Sequence, residues 1–208
     1  MPPRAVPDVE FFLDPTCVWT WLTSRWIVDV AAQIGIDVQW HALSLGLLGS
    51  DSLHVTSETS DHLRPRLPLS TQALRVVEQL SDQDRNADVG RFYTALGTAL
   101  HVDRREPSTE MVREALRSAG VEDAESAADD ADLDGAVEAS HDRSQSLLAG
   151  DSGSPVLSVD GKAIFGPIVS PAPTGPEALA LWEAVRTLVS MPAFFELKRN
   201  RESPPKTS

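Results

Sequence analysis

Strand-like segments occur only near the two ends of this sequence, and that asymmetry limits the folds open to it. "VEFFLD", Val9 to Asp14, is short, apolar and rich in β-formers, as a buried strand should be. It stops at Asp14-Pro15. Val18, Leu22, Trp26, Ile27, Val30, Ala31 and Ile34 then recur at spacings that largely share one face of a helix. Gly35 is placed to close that helix. In "IDVQWHALSL", Val38, Trp40 and Ala42 alternate with Asp37, Gln39 and His41, which predicts a second strand. Strand, helix, strand is a βαβ unit, whose strands run parallel.

No further strand is expected until residue 156. A Ser/Asp/Pro-containing stretch, Gly46 to Pro68, leads into helical candidates at Ser70–Leu80, Val89–His101, Ser108–Ala119, Val121–Ala128 and Leu133–Leu148. In "PSTEMVREALRSAG" Ser108 or Thr109 is the expected cap and Gly120 the stop. Strands return in "SPVLSVDGKAIFGP", as Val156–Val159 and Ala163–Phe165 around Asp160-Gly161, a hairpin dipeptide. A last helix is predicted from about Gly175 to Val189. "MPAFFELKRNRESPPKTS" reads as a short apolar anchor and a frayed polar tail. The order βαβ, helices, hairpin, helix is that of an α/β thioredoxin-like fold carrying an inserted all-helical domain. The expected division is 8–45 and 151–200 for the thioredoxin-like domain, 46–150 for the insertion, and 201–208 for a flexible tail.

A net charge of −13 argues against broad nucleic-acid binding, which needs a basic footprint. Much of the acidity lies in "VEDAESAADDADLDGAVEASHD", which reads as the solvated face of helices. No apolar run is long enough to span a membrane, and the start has no signal-peptide pattern, so a cytoplasmic protein is expected. The one cysteine, Cys17, excludes an internal disulfide. No metal spacing links His41, His54, His62, His101 and His141, and one cysteine cannot build a thiolate metal site.

Cys17 falls where strand gives way to helix. Unpaired N–H groups and the helix dipole favour an anion there, so a thiolate of lowered pKa, well below about 8.5, is expected. "FFLDPTCVWTWLTSRW" resembles the active-site turn of DsbA-family thioredoxin-fold proteins, and "SGSPVLSVDGKAIFGP" resembles their later proline loop and hairpin. The closer resemblance is to the actinobacterial branch typified by the mycothiol-dependent nitroreductase, where the turn reads D-P-x-C-P-W-C-W. "GTALH", "GPIVSP", "LWEAV" and "FFELKR" are similar to that branch too, so the likeness runs from about Val9 to Glu202. The departure is in the chemistry. The second cysteine of C-P-W-C is replaced by Thr20, and the motif's proline by Val18. Basic residues of the branch after "FGP" are replaced by Pro171 and Thr174, which weakens the case for anionic-substrate contacts there.

The resemblance implies a thiol-dependent oxidoreductase with Cys17 as nucleophile. A dithiol enzyme clears its mixed disulfide with its second sulfur; a hydroxyl at Thr20 can only hydrogen-bond the first, or be a relic of the lost cysteine. Release would fall to a low-molecular-weight thiol, mycothiol or else glutathione, as co-substrate, with a small molecule or disulfide as substrate. No tightly bound cofactor is expected, and a homodimer is left open. Pro155 matches the family's cis-proline facing the sulfur, with Ser154 beside it offering backbone groups to a bound thiol. Trp19 and Trp21 are candidates for an apolar wall or for core packing, and Trp26 and Trp40 for core. The resemblance puts a cleft histidine at His101, although a lone histidine at a helix end is more often a partner of the helix dipole, and His141 reads as surface. Two alternatives stand: an isomerase or transferase of the kappa-class type, in which Cys17 or Thr20 activates a thiol cofactor, and a non-catalytic thioredoxin-fold binding protein.

Overall fold

β1 (Val9–Leu13) and β2 (Val38–Ala42) pair in parallel on either side of α1 (Val18–Ile34) in the chain. The computed structural model describes residues 9–48, 61, 64–150 and 152–207; residues 49–60 of the expected connection, with His54, and His62 lie outside them. Gly35 closes α1 in the left-handed region, φ 71°, and donates its N–H to the Ala31 carbonyl. β3 (Val156–Val159) runs antiparallel to β1 and to β4 (Lys162–Phe165), giving the order β2-β1-β3-β4. Asp160 and Gly161 have φ of 50° and 76°, the left-handed pair that a two-residue hairpin turn requires.

Pleating divides the sheet into two faces. Val9, Phe11 and Leu13 align with Val38, Trp40 and Ala42 and with Leu157 and Val159. This face packs on α1 and on α6 (Gly175–Ser190), where the Trp26 indole donates to the Ala178 carbonyl at 3.0 Å and its ring meets Trp182. The other face carries Glu10, Phe12, Val156 and Ser158 and a smaller apolar cluster around Phe12, Leu43 and Val156.

The inserted segment is helical, with α2 (Leu67–Asp82), α3 (Asn86–Gly97), α4 (Glu110–Ala119) and α5 (Asp134–Ser146). It guards the free edge of β2, whose backbone groups would otherwise be open to pairing. Asn86 accepts from the Trp40 N–H at 3.0 Å and donates to the Val38 carbonyl at 2.8 Å, and Glu78 accepts from the Ala42 N–H. One apolar core then runs unbroken from the sheet into the insertion. Phe11, Trp40, Tyr93, Trp21 and His101 form a chain of ring contacts at 5.4 to 5.9 Å. A Cβ at Gly97 would lie 2.2 Å from Trp21 Cε3, so only glycine admits the indole there.

Several local expectations change. Neither Ser108 nor Thr109 caps α4 with its side chain; Thr109 is already helical and the two backbone carbonyls take the Met111 and Val112 N–H groups. The expected helix at Val121–Ala128 is a 3₁₀ run, Glu122–Asp129, whose Asp and Ser residues compete with the backbone and do not favour an α-helix. Its acids are partly answered by arginines, as in Arg85–Asp123 and Arg113–Asp129 at 2.5 and 2.7 Å; each such exposed pair adds only about 0–1 kcal/mol. His141, expected at the surface, is buried. The apolar anchor expected near the C-terminus does not form, since Phe195 and Leu197 are 89% and 80% exposed. The tail beyond it lies back on the molecule: Arg201 covers Trp19, and the Lys206 N–H donates to Ser170 Oγ.

Candidate active site

The end of β1 builds the site. Asp14 is fully buried, and its Oδ1 accepts from the Thr16 N–H at 2.9 Å and the Thr16 hydroxyl at 2.6 Å. Its Oδ2 accepts from the Leu45 N–H and the Ser70 hydroxyl, both at 2.9 Å. One carboxylate thus ties the turn before Cys17 to the segment after β2 and to α2. The Cys17 N–H returns to the Asp14 carbonyl at 3.1 Å, and α1 starts at the next residue.

The proline loop lies opposite. The Ser154–Pro155 peptide bond is cis, and the Ser154 carbonyl accepts from the Cys17 thiol at 3.6 Å. Ser154 Oγ accepts from the Asp14 N–H at 3.3 Å and stands 2.6 Å from Thr20 Oγ1. Either hydroxyl can be the donor in the Ser154–Thr20 pair; when Ser154 donates, the Thr20 hydrogen is left for the sulfur. Asp14 N–H, Ser154, Thr20 and Cys17 then form a relay of donors ending on the thiol. Cys17, Thr20 and Ser154 therefore come together at this turn, and Pro155 follows in the same loop.

The electrostatics correct the expectation of a low thiol pKa. Cys17 is half-buried, and burial pushes its thiol above the ordinary range, with the Asp14 charge adding to the shift. Hydrogen bonds from the Thr20 side chain and from the Thr20 and Trp19 backbone pull the other way without reversing it. Desolvation outweighs the helix N-terminus here. The resting group is a thiol bonded to the Ser154 carbonyl.

Three aromatic residues separate into different roles. Trp19 is half-buried two residues after Cys17, with the Arg201 guanidinium 4.5 Å from its ring centroid. Trp21 is 3% exposed, between His101, Tyr93 and the Arg25 guanidinium, so it offers no wall to a substrate. His101 does not face a cleft either. It is buried, its Nε2–H donates to the Pro15 carbonyl at 2.9 Å, and burial lowers its pKa to about 4, so the ring is neutral. It pins the turn from the inserted helices. Helical periodicity could not show this, because the face of α1 that holds Trp21 is covered by residues far along the chain. Asp14 and Ser70 were missed for the same reason; a buried carboxylate with a local Thr16 partner was the one signal available.

A groove of about 940 Å³ lies elsewhere, lined by Val28, Ile36, Trp40, Arg91 and Met111 among others. Cys17, Thr20 and Ser154 take no part in it, and no cysteine or histidine lines it. Among the described residues, no group of three or more His, Cys, Asp or Glu is placed to hold a metal ion, and no helix is long and apolar enough to cross a membrane.

A four-stranded sheet of this order, an inserted helical unit and a cysteine facing a proline loop define a DsbA-like thioredoxin-fold protein. Solved structures agree on the fold. SrgA of Salmonella enterica serovar Typhimurium is 19% identical with a TM-score of 0.55, covering 92% of this chain and 97% of its own. The cytosolic disulfide reductase DsbM of Pseudomonas aeruginosa, solved with GSH, is 14% identical with a TM-score of 0.54, covering 86% and 98%. The chain belongs to the Rv2466c-like family, described as mycothiol-dependent nitroreductase Rv2466c, whose model matches residues 16–199. It is also 32% identical to the uncharacterized protein Rv2286c of Mycobacterium tuberculosis over 194 residues, 92% of this chain and 81% of that protein. The family supports a thiol-dependent oxidoreductase role in general.

Proposed function

We propose that this protein is a monothiol oxidoreductase of the cytoplasm, in which Cys17 exchanges with a disulfide or small-molecule substrate and mycothiol regenerates it. The observation that carries this reading is the meeting of the Cys17 thiol with the Ser154 carbonyl and with the Thr20 hydroxyl, itself paired with Ser154 Oγ. On deprotonation, the Cys17 thiolate attacks one sulfur of a substrate disulfide; the S–S bond breaks, a mixed disulfide forms on Cys17, and the other half leaves as a thiolate. A mycothiol thiolate then attacks that mixed disulfide on the substrate sulfur and frees Cys17. Thr20 stabilises the leaving Cys17 thiolate in the second step. Having no sulfur, it cannot take the place of mycothiol. Trp19 lines the approach.

Thr20 is fully buried and already bonded to Ser154, which disfavours the form of the kappa-class alternative in which Thr20 activates a thiol cofactor and leaves the form in which Cys17 does so. The test is mass spectrometry after incubation with mycothiol disulfide, alongside turnover assays. One mycothiol adduct on Cys17, cleared by excess mycothiol, is the expected result. Cys17→Ser should lose turnover by about 10³-fold or more. Unchanged turnover in that variant would sink the reading and favour a transferase; saturable partner binding without turnover would favour a binding protein.

A further inference from the structure

The tail brings a cation to the site. Between residues 196 and 206 the chain carries Lys198, Arg199, Arg201 and Lys206 against Glu196 and Glu202, a local basic excess in a protein of net charge −13. Two contacts hold it: Arg201 on the Trp19 ring, and the Lys206 N–H on Ser170. Ser170 belongs to the segment after β4, and this segment is fastened to α1 where the Thr23 hydroxyl donates to the Pro167 carbonyl at 2.7 Å. Arg201 therefore sits over a side chain whose own backbone N–H supports the Cys17 sulfur.

The manner of that contact matters. Many arginines elsewhere are taken up by carboxylates, as in Arg75–Asp134, Arg105–Glu114 and Arg143–Glu10, while Arg25 lies on Trp21 but also donates to the Ser24 and Thr94 hydroxyls. Arg201 has no acidic partner among the described residues; its one contact is the face of Trp19. A stacked guanidinium spends its flat face on the ring and keeps its in-plane N–H groups, the ones that grip a carboxylate in fork geometry. A second cation, Arg66 just before α2, is close enough to His101 for its charge to be felt there. Arg201 and Arg66 thus stand on the outer side of a turn whose buried charge is that of Asp14.

We propose that Arg201 is a specificity-determining residue of the Cys17 site, recognising an anionic group, a carboxylate or sulfonate, on the oxidised substrate whose sulfur Cys17 attacks. This rests on Cys17 being the nucleophile. The substrate class is a disulfide with an acidic substituent within reach of the Trp19 side of the turn.

The test compares two aromatic disulfides that undergo the same step: dithionitrobenzoate, a dianion, and dithiodipyridine, which is neutral. In each, the Cys17 thiolate displaces one aromatic thiolate and keeps the other half as a mixed disulfide, so released thiolate is counted by absorbance. At low ionic strength Arg201→Glu should slow the dianion by about tenfold or more while changing the neutral reagent by about twofold or less. Arg201→Lys, which keeps the charge and loses the fork, should retain only part of the preference, and added salt should erase it. Equal acceleration with both reagents in Arg201→Glu would make the tail a mere cover and overturn the proposal, as would no change with either. If the unmutated protein reacts with neither, the Cys17 reading itself fails, a result distinct from a reactive thiol without charge preference.

Discussion

Glu10 and Asp14 lie on the same strand or at its end, both buried, and their surroundings push them in opposite directions. Glu10 faces the Arg143 guanidinium and, at 3.3 Å, the His41 ring nitrogen Nε2. The hydrogen bond to His41, followed by that to Arg143, holds its carboxyl down at about 2 against the cost of burial. Asp14 faces only hydroxyls and backbone N–H groups, and burial pushes its pKa above the usual carboxylate range despite them. The difference teaches that donors without charge can place a buried carboxylate but cannot fully replace its hydration. Glu10 fastens the sheet to α5. Asp14 organises the turn beneath the thiol, and its charge is felt there.

The most severe way to break the Asp14 side is Asp14→Ala. The Thr16 and Leu45 N–H groups and the Ser70 hydroxyl lose their acceptor at once, and we expect a loss of about 3–5 kcal/mol in denaturant unfolding. Asp14→Asn separates charge from shape. Because the Asp14 charge raises the Cys17 pKa, its removal should lower that pKa, read from thiolate absorbance against pH. A titration curve that does not move would mean that Asp14 exerts no electrostatic control over the thiol, and the contrast with Glu10 would then be purely structural.

Much of the frame was open to sequence reading, because its causes are local. β3 matches its expected bounds, since apolar alternation meets an Asp160-Gly161 turn; α1 ends at Gly35 because only a left-handed residue fits there. What was not legible depends on distance. "VEFFLD" reads as a buried strand, yet nothing near Glu10 announces that Arg143, 133 positions away, will meet it. Trp21 and His101 read as candidates for a cleft because their partners arrive with the insertion. Cys17, Thr20 and Ser154 were recoverable by motif, but the direction of the thiol's pKa was not, since it is set by burial rather than by position on the helix.

Acid titration sharpens the comparison. For Glu10 the folded pKa is below the unfolded one, so its stabilisation is present above about pH 4.5 and is lost as pH falls toward about 2. That shift corresponds to roughly 3 kcal/mol in order of magnitude. Asp14 has the opposite sign. Its raised folded pKa means that the folded state takes up a proton first, and stability falls as pH rises from 3.8 through that folded value. Glu10→Gln should therefore lower stability at neutral pH by roughly 3 kcal/mol and flatten the acid limb, whereas Asp14→Asn should remove the opposing limb. Urea unfolding between pH 2 and 7 reads both; parallel curves for the two variants would refute the assignment of opposite signs.

The smallest effect expected is at Thr20, and it tests whether neutral donors act on the thiol as they do on Asp14. Thr20→Val keeps the shape of a fully buried side chain and removes one hydroxyl. The Cys17 thiolate loses a donor and Ser154 Oγ loses an acceptor. One hydrogen bond of about 1 kcal/mol is close to one pKa unit, so the thiolate fraction near neutral pH should fall by about five- to tenfold. The rate with a neutral disulfide should follow, with its pH profile displaced upward. At high pH, where the thiol is ionised in both proteins, the rates should converge or the variant should be slightly faster, because a more basic thiolate is the better nucleophile. Thr20→Ser should restore the profile. An unshifted profile in Thr20→Val would make the hydroxyl a packing element alone, and the relay from Ser154 would end short of the sulfur.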